Sequence, residues 1–131
     1  EQMVKRYTSD YLIFRCNTMI GKNAKKGVVF DILNNKELFI TLTSKLQLIT
    51  TKEVANIIHN LISKKISGEI FNVGGKGQLS FVKAEKFFQK KIKISANAEK
   101  QDIEQDVSKL NKIFKLKTSE EYLTDFIENL N

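Results

Sequence analysis

The chain has 131 residues, with 22 Lys and Arg against 15 Asp and Glu and a formal charge of +7. At roughly 100–200 residues per domain this leaves room for one domain, and an apolar share of 41% excludes a disordered tail. The longest apolar runs, Tyr11–Phe14 and Val28–Phe30, fall far short of the ~20 residues of a membrane-spanning helix. One cysteine excludes an internal disulfide and a multi-cysteine zinc site. No signal-peptide pattern opens the sequence, so the expectation is a reduced, cytoplasmic, soluble domain with no membrane partner.

The positive charge needs discounting. Twenty Lys, fifteen Ile and eleven Asn mark a compositional bias. The only arginines are Arg6 and Arg15, whereas nucleic-acid readers lean on Arg for bidentate base contacts; no nucleic-acid partner is expected. Residues 1–66 carry net +6 and residues 67–131 net +1. An excess confined to the first half suits an anionic ligand or a solvated surface.

Residues 1–9 read as the end of a helix, with Met3, Val4 and Tyr7 on one face and no cap before them. Tyr11–Cys16 is a nearly continuous apolar run, as in a strand covered on both faces. Residues 17–26 are polar around Gly21 and read as a loop. Gly27–Asn35 returns to helical spacing through Val28, Val29, Ile32 and Leu33. Glu37–Leu42 and Leu46–Thr50 are two short strands joined by a Thr-Ser-Lys turn. Thr50 or Thr51 then caps a helix, with Glu53 at the capping-box spacing. Its apolar face is Val54, Ala55, Ile57, Ile58, Leu61 and Ile62, and Lys64 and Lys65 complement the dipole at its end.

A strand over Glu69–Val73 runs into Gly74-Gly75-Lys76-Gly77. Ser80 caps a helix carrying Val82, Phe87 and Phe88, and a strand over Lys91–Ser95 follows. Two helices close the chain, one with Val107, Leu110 and Phe114. The other carries Tyr122, Leu123, Phe126, Ile127 and Leu130 behind a Thr118–Glu121 capping box. Short strands alternating with amphipathic helices predict an α/β class with some parallel pairing, in a single domain over residues 1–131.

Catalytic groups are scarce. His59 is the only histidine and sits on the amphipathic helix, where a partly buried structural role is the simpler reading. Without a second histidine or a paired cysteine there is no metal site to build, and a Ser-His triad has no base to spare. Cys16 ends a strand with no histidine near it in sequence, and reads as packing rather than a reactive thiol. Gly74–Gly77 has the strand-before, helix-after context of a phosphate loop, yet matches neither G-x-G-x-x-G nor G-x-x-x-x-G-K-[ST]. A tight turn needing positive φ accounts for it.

Three segments together resemble one family. Tyr11-Leu-Ile-Phe-Arg15-Cys-Asn-Thr-Met-Ile-Gly21 is similar to the sixth-strand pattern L-R-P-x-N-V-Y-G-P of the extended short-chain dehydrogenase/reductases, the NAD-dependent epimerase/dehydratases acting on nucleotide sugars. Gln47-Leu-Ile-Thr-Thr-Lys-Glu53-Val-Ala55 resembles that family's R-D-F-V-x-V-x-D-V-A. Gly68-Glu-Ile-Phe-Asn72-Val-Gly-Gly75 resembles its G-x-x-Y/F-N-V-G-G/S strand and turn. The order and spacing of the three are like the family's, and the resemblance covers nearly the whole chain.

The resemblance implies the C-terminal, substrate-binding portion of an extended Rossmann-type reductase. The family's dinucleotide-binding half carries G-x-x-G-x-x-G and a Tyr-x-x-x-Lys pair, and neither occurs here. No catalytic residue is therefore assigned. NAD or NADP belongs to the complete enzyme and is not expected to bind this chain tightly. By the same resemblance, Cys16 and Asn17 would border the nicotinamide ring and Thr18 would face the sugar. Lys26 and Gly27 would meet the diphosphate, Phe39 would approach the base, and Gln47 lies on a segment bordering the site. Departures accompany the likeness: Cys16 and Lys22 replace two prolines, Thr18 an Asn, Ile20 a Tyr. Leu46 stands where an Arg often grips the diphosphate bidentately.

The function this implies is the substrate-binding region of a nucleotide-sugar epimerase, dehydratase or reductase, incompetent alone. The alternative is a noncatalytic binding or assembly module on the same fold. Tyr11–Phe14 is apolar on both pleat faces, so the chain is expected to self-associate, to pair with a dinucleotide-binding half, or to rearrange this segment.

Overall fold

The computed structural model describes residues 1–130. The α/β class holds, with short strands paired mostly in parallel. Helix α1 (Gln2–Tyr7) buries none of its residues. Its start is tied to strand β1 (Leu12–Cys16) by Glu1, whose two carboxylate oxygens each accept from the Arg15 guanidinium at 2.7 Å. Then come β2 (Thr18–Ile20), α2 (Val28–Leu33), β3 (Leu38–Ile40), β4 (Lys45–Leu46), β5 (Leu48–Thr50), α3 (Thr51–Ser63) and β6 (Glu69–Val73). The remainder is β7 (Leu79–Ser80), a 3-10 turn over Phe81–Lys83, α4 (Ala84–Phe88), β8 (Ile94–Glu99), β9 (Asp102–Ile103), α5 (Ser108–Asn111) and α6 (Ser119–Glu128). No helix among them is long and apolar enough to cross a membrane.

The sheets are small. β1 pairs in parallel with β6 along its whole length, Leu12 opposite Glu69 through Cys16 opposite Val73. β2 pairs in parallel with β5 and β3 with β8. β4 lies between antiparallel β7 and parallel β9. Strand β5 is the spine that joins these pieces, because its side chains alternate between two cores. Leu48 enters a cluster with Ile20, Val29, Ile32, Leu38, Leu79 and Phe81. Ile49 enters another with Ile57, Leu61, Phe71, Val73, Leu110 and Tyr122. Both residues are fully buried, and α6 repeats the division by sending Leu123 to the first core and Tyr122 to the second.

Two capping signals are realised. Thr50, not Thr51, caps α3, its hydroxyl accepting the Glu53 N–H at 3.1 Å. Thr118 and Glu121 form a complete capping box on α6.

Several expectations need correction. The expected loop over residues 17–26 begins with β2, because Ile20 is drawn into the core beside β5. The strand expected over Leu46–Thr50 is interrupted at Gln47, which turns its side chain inward between β4 and β5. The strand expected over Lys91–Ser95 starts later, at Ile94. Ser80 caps no helix with its side chain: a 3-10 turn follows, burying Phe81 and leaving Val82 63% exposed. On α3 the buried stripe narrows to Ile57 and Leu61, so Ile62 and His59 face solvent.

Candidate functional site

The end of β1 is where chain segments converge. After Cys16, the Asn17 N–H donates to Val73 O at 2.8 Å and closes the β1–β6 pair. The Asn17 carboxamide then works in two directions. Its Oδ1 accepts the Thr18 N–H at 2.9 Å and its Nδ2 donates to Gln47 Oε1 at 2.7 Å. Gln47 is fully buried and bonds in turn to Gly75 O and to both backbone groups of Gln105. The segment from Cys16 to Thr18 is thus held by backbone and side chain together, and burial pushes the half-buried Cys16 thiol up from its ordinary pKa.

Beyond this anchor the chain opens into a cavity of about 260 Å³. Thr18 and Met19 form one wall; Lys25, Lys26 and Gly27 form the lip where the chain turns into α2; Val28, Phe30 and Leu33 supply apolar surface. Gly27 has φ 107° with nothing near its Cβ position, so backbone geometry rather than packing requires glycine at this lip. A wider cleft of about 900 Å³ adjoins it across Ile20–Ala24 and reaches the first turn of α3 and the side of α6. On its wall the Tyr122 hydroxyl donates to Glu53 and accepts from the Lys117 N–H, both at 3.2 Å. Burial holds the Tyr122 hydroxyl well above the usual phenol range, so it remains a neutral donor. Lys117 is paired with Asp125, which raises its own pKa.

Of the residues singled out in sequence, Thr18, Lys26 and Gly27 line one cavity. Cys16 and Asn17 lead directly into its wall. Gln47 lies behind that wall with every polar atom engaged, reaching the cavity only through Asn17. Phe39 is not brought there: between buried Leu38 and Ile40 it points outward and is 67% exposed. The reason is strand alternation, which sends residue 39 to the face opposite its neighbours.

The glycine turn faces protein. A Cβ on Gly74 would stand 2.9 Å from Gln47 Cδ, and one on Gly75 would stand 2.6 Å from Leu48 O. Only Gly77, at φ 66°, needs positive φ. Gly74 and Gly75 therefore serve close packing against protein, which leaves no room beside them for the pyrophosphate of a dinucleotide. No group of three or more His, Cys, Asp or Glu gathers in a metal-holding arrangement among the described residues. The link from Gln47 to Asn17 had no signal in sequence beyond a lone polar residue inside an apolar strand pattern.

No family model and no curated protein matches the sequence. Solved structures do resemble the fold. A dTDP-4-dehydrorhamnose reductase from Bacillus anthracis in complex with NADP superposes with a TM-score of 0.73 at 18% identity, over 99% of this chain and 52% of its own. The fold is shared with about half of this reductase. A dTDP-glucose 4,6-dehydratase from the same organism in complex with NAD gives a TM-score of 0.71 at 16% identity, over 97% of this chain and 48% of its own. A UDP-N-acetylglucosamine 4-epimerase from Methanobrevibacter ruminantium in complex with UDP-N-acetylmuramic acid gives 0.69 at 19% identity, over 98% and 49%. The chain spans about half the length of each of these reductase-fold structures.

Proposed function

We propose that this chain is the substrate-binding domain of a cytoplasmic nucleotide-sugar epimerase, dehydratase or reductase. It does not complete the chemistry by itself. The observation that carries this reading is the convergence of Thr18, Lys26 and Gly27 on one cavity at the end of β1, in a fold shared with enzymes named for UDP- and dTDP-sugars. The division of labour is physical. A cavity with an apolar side and lysines at its lip suits a ring system carrying a diphosphate, Lys25 and Lys26 acting as point charges on the anion. Thr18 offers a hydroxyl to a sugar.

Acid–base chemistry and hydride transfer need groups that these residues do not supply. His59 lies on a solvated helix face and the Tyr122 hydroxyl is held neutral. A dinucleotide-binding half bringing a Tyr-x-x-x-Lys pair and NAD or NADP would provide them, with Cys16 and Asn17 at its border. Pairing would use β1, because the opposite edge of this sheet is taken: Asn72 Nδ2 donates to Asp106 O at 3.0 Å and Lys109 Nζ to Ile70 O at 2.9 Å.

Calorimetry tests this directly. Saturable heat with UDP-glucose or dTDP-glucose, weakened by Lys26→Ala, is expected, together with no heat from NAD or NADP. Binding of NAD to the chain alone in the micromolar range would defeat the division of labour, and silence toward every nucleotide sugar would defeat the assignment.

A further inference from the structure

We propose that Gln47 is a positioning residue: its uncharged carboxamide fixes the Asn17–Thr18 edge of the ligand cavity and locks it to the segment crossing at Gln105, without itself meeting ligand. The importance of that edge for binding rests on the function proposed above; the lock itself does not.

A primary amide has two N–H donors and two acceptor lone pairs, and the fully buried Gln47 uses all four. Its Oε1 accepts from Asn17 Nδ2 at 2.7 Å and from the Gln105 N–H at 3.0 Å. Its Nε2 donates to Gly75 O at 2.7 Å and to Gln105 O at 3.2 Å. No other side chain of this size meets that pattern. Leucine leaves two donor groups, Asn17 Nδ2 and the Gln105 N–H, and two carbonyls, Gly75 O and Gln105 O, without these partners in a largely buried setting, where an unmade hydrogen bond carries a desolvation cost. A carboxylate still accepts from Asn17 and Gln105 but turns negative charge toward two carbonyl oxygens.

The orientation of Gln47 dictates that of Asn17. With Nδ2 held by Gln47, Asn17 presents Oδ1 to the Thr18 N–H at 2.9 Å, and this sets the backbone where β2 and the cavity wall begin. The packing has no slack, since the Gln47 side chain already fills the space a Cβ on Gly74 would need. On the far side, Gln105 is held by its backbone, and its own buried Oε1 has no partner among the described residues. The neighbouring residues are held on either side, by the pairing of β9 with β4 and by Asn72 on Asp106 O, while Gln105 itself takes its hydrogen bonds from Gln47.

Amide hydrogen exchange read by NMR on the full chain, at two pH values, tests the lock. In Gln47→Glu at neutral pH, Thr18 and Gln105 are expected to lose at least tenfold in protection while Leu61 in α3 keeps its own. Near pH 5 part of the loss is recovered, because a buried carboxyl takes up a proton and regains one donor. Gln47→Leu loses the same protection at both pH values. Asn17→Ala loosens Thr18 alone and leaves Gln105 protected; this milder variant carries the test if Gln47→Glu fails to fold. Unchanged Thr18 protection in Asn17→Ala, or a Gln47→Glu loss indifferent to pH, overturns the proposal. UDP-glucose titrated into the same samples separates the two ideas. If the parent protein does not respond, the proposed ligand class is wrong and the exchange data still decide the lock. If it responds and Gln47→Glu binds equally well at neutral pH, the positioning role is wrong.

Discussion

Gly75 and Ser119 approach so closely that no side chain fits between them: a Cβ on Gly75 would lie 2.7 Å from Ser119 N and 2.8 Å from its Cα. The approach is locked by hydrogen bonds. The Gly75 N–H donates to Leu48 O at 2.9 Å, the Leu48 N–H donates to Ser119 Oγ at 3.0 Å, and that hydroxyl donates to Gly77 O. The glycine turn, the central strand and the start of the last helix thereby become one unit, which is tied to the Asn17 edge of the site through the bond from Gln47 to Gly75 O.

Gly75→Ala should consequently destabilise the fold strongly. The atoms it would strike belong to backbone on two elements, so neither can swing away, and overpacking of this kind costs about 3 kcal/mol. Urea unfolding should show a midpoint well below that of the parent protein. An unchanged midpoint would mean that the turn and α6 are not packed as described.

How much of this was legible in sequence depends on the range of the interaction. Thr50 with Glu53 and Thr118 with Glu121 are contacts three residues apart, and both helix starts were readable. The apolar run at Tyr11–Cys16 and the segment Glu69–Val73 are readable as strands and they pair in parallel, but the cover expected on both faces of the first is incomplete: its residues are half-buried and Arg15 is exposed. Gln47 was assigned to the site border because of its segment; its partners lie 28, 30 and 58 residues away, beyond any local pattern. Phe39 was assigned to the ligand from the family's strand, whereas the pleat of β3 turns it outward. Val82, expected on the apolar face of a helix, is exposed and Phe81 is buried, because a 3-10 turn rotates side chains by a different angle from an α-helix.

The α6 capping box makes a pH-dependent contribution. The Thr118 N–H and hydroxyl both donate to Glu121, holding its carboxyl below the usual carboxylate range. A carboxyl depressed in the folded state stabilises fully above its unfolded pKa, and the contribution disappears as pH falls through the folded value. Thr118→Ala should thus cost ~1 kcal/mol at neutral pH, with a smaller difference in strong acid. A thermal-melt difference that grew on acidification would contradict this.

The open flank of β1 has a testable consequence for assembly. Met3 and Tyr7 on α1 are 72% and 77% exposed, and no helix residue is buried to hold α1 in place. Short isolated helices are marginal in water, so this face calls for cover. Sedimentation of the chain should show self-association that Val4→Asp with Tyr7→Asp reduces. A monodisperse monomer at high concentration would remove the case for pairing along this edge.

The most direct test of the central claim is a nitrogen-15 NMR titration of the chain with UDP-glucose. Saturable shifts should cluster at Thr18, Lys26 and Gly27, with a smaller response at Asn17 and none on the exposed face of Phe39. No saturable shift, or shifts gathered anywhere other than the Thr18–Gly27 cavity, would contradict a nucleotide-sugar site at the end of β1.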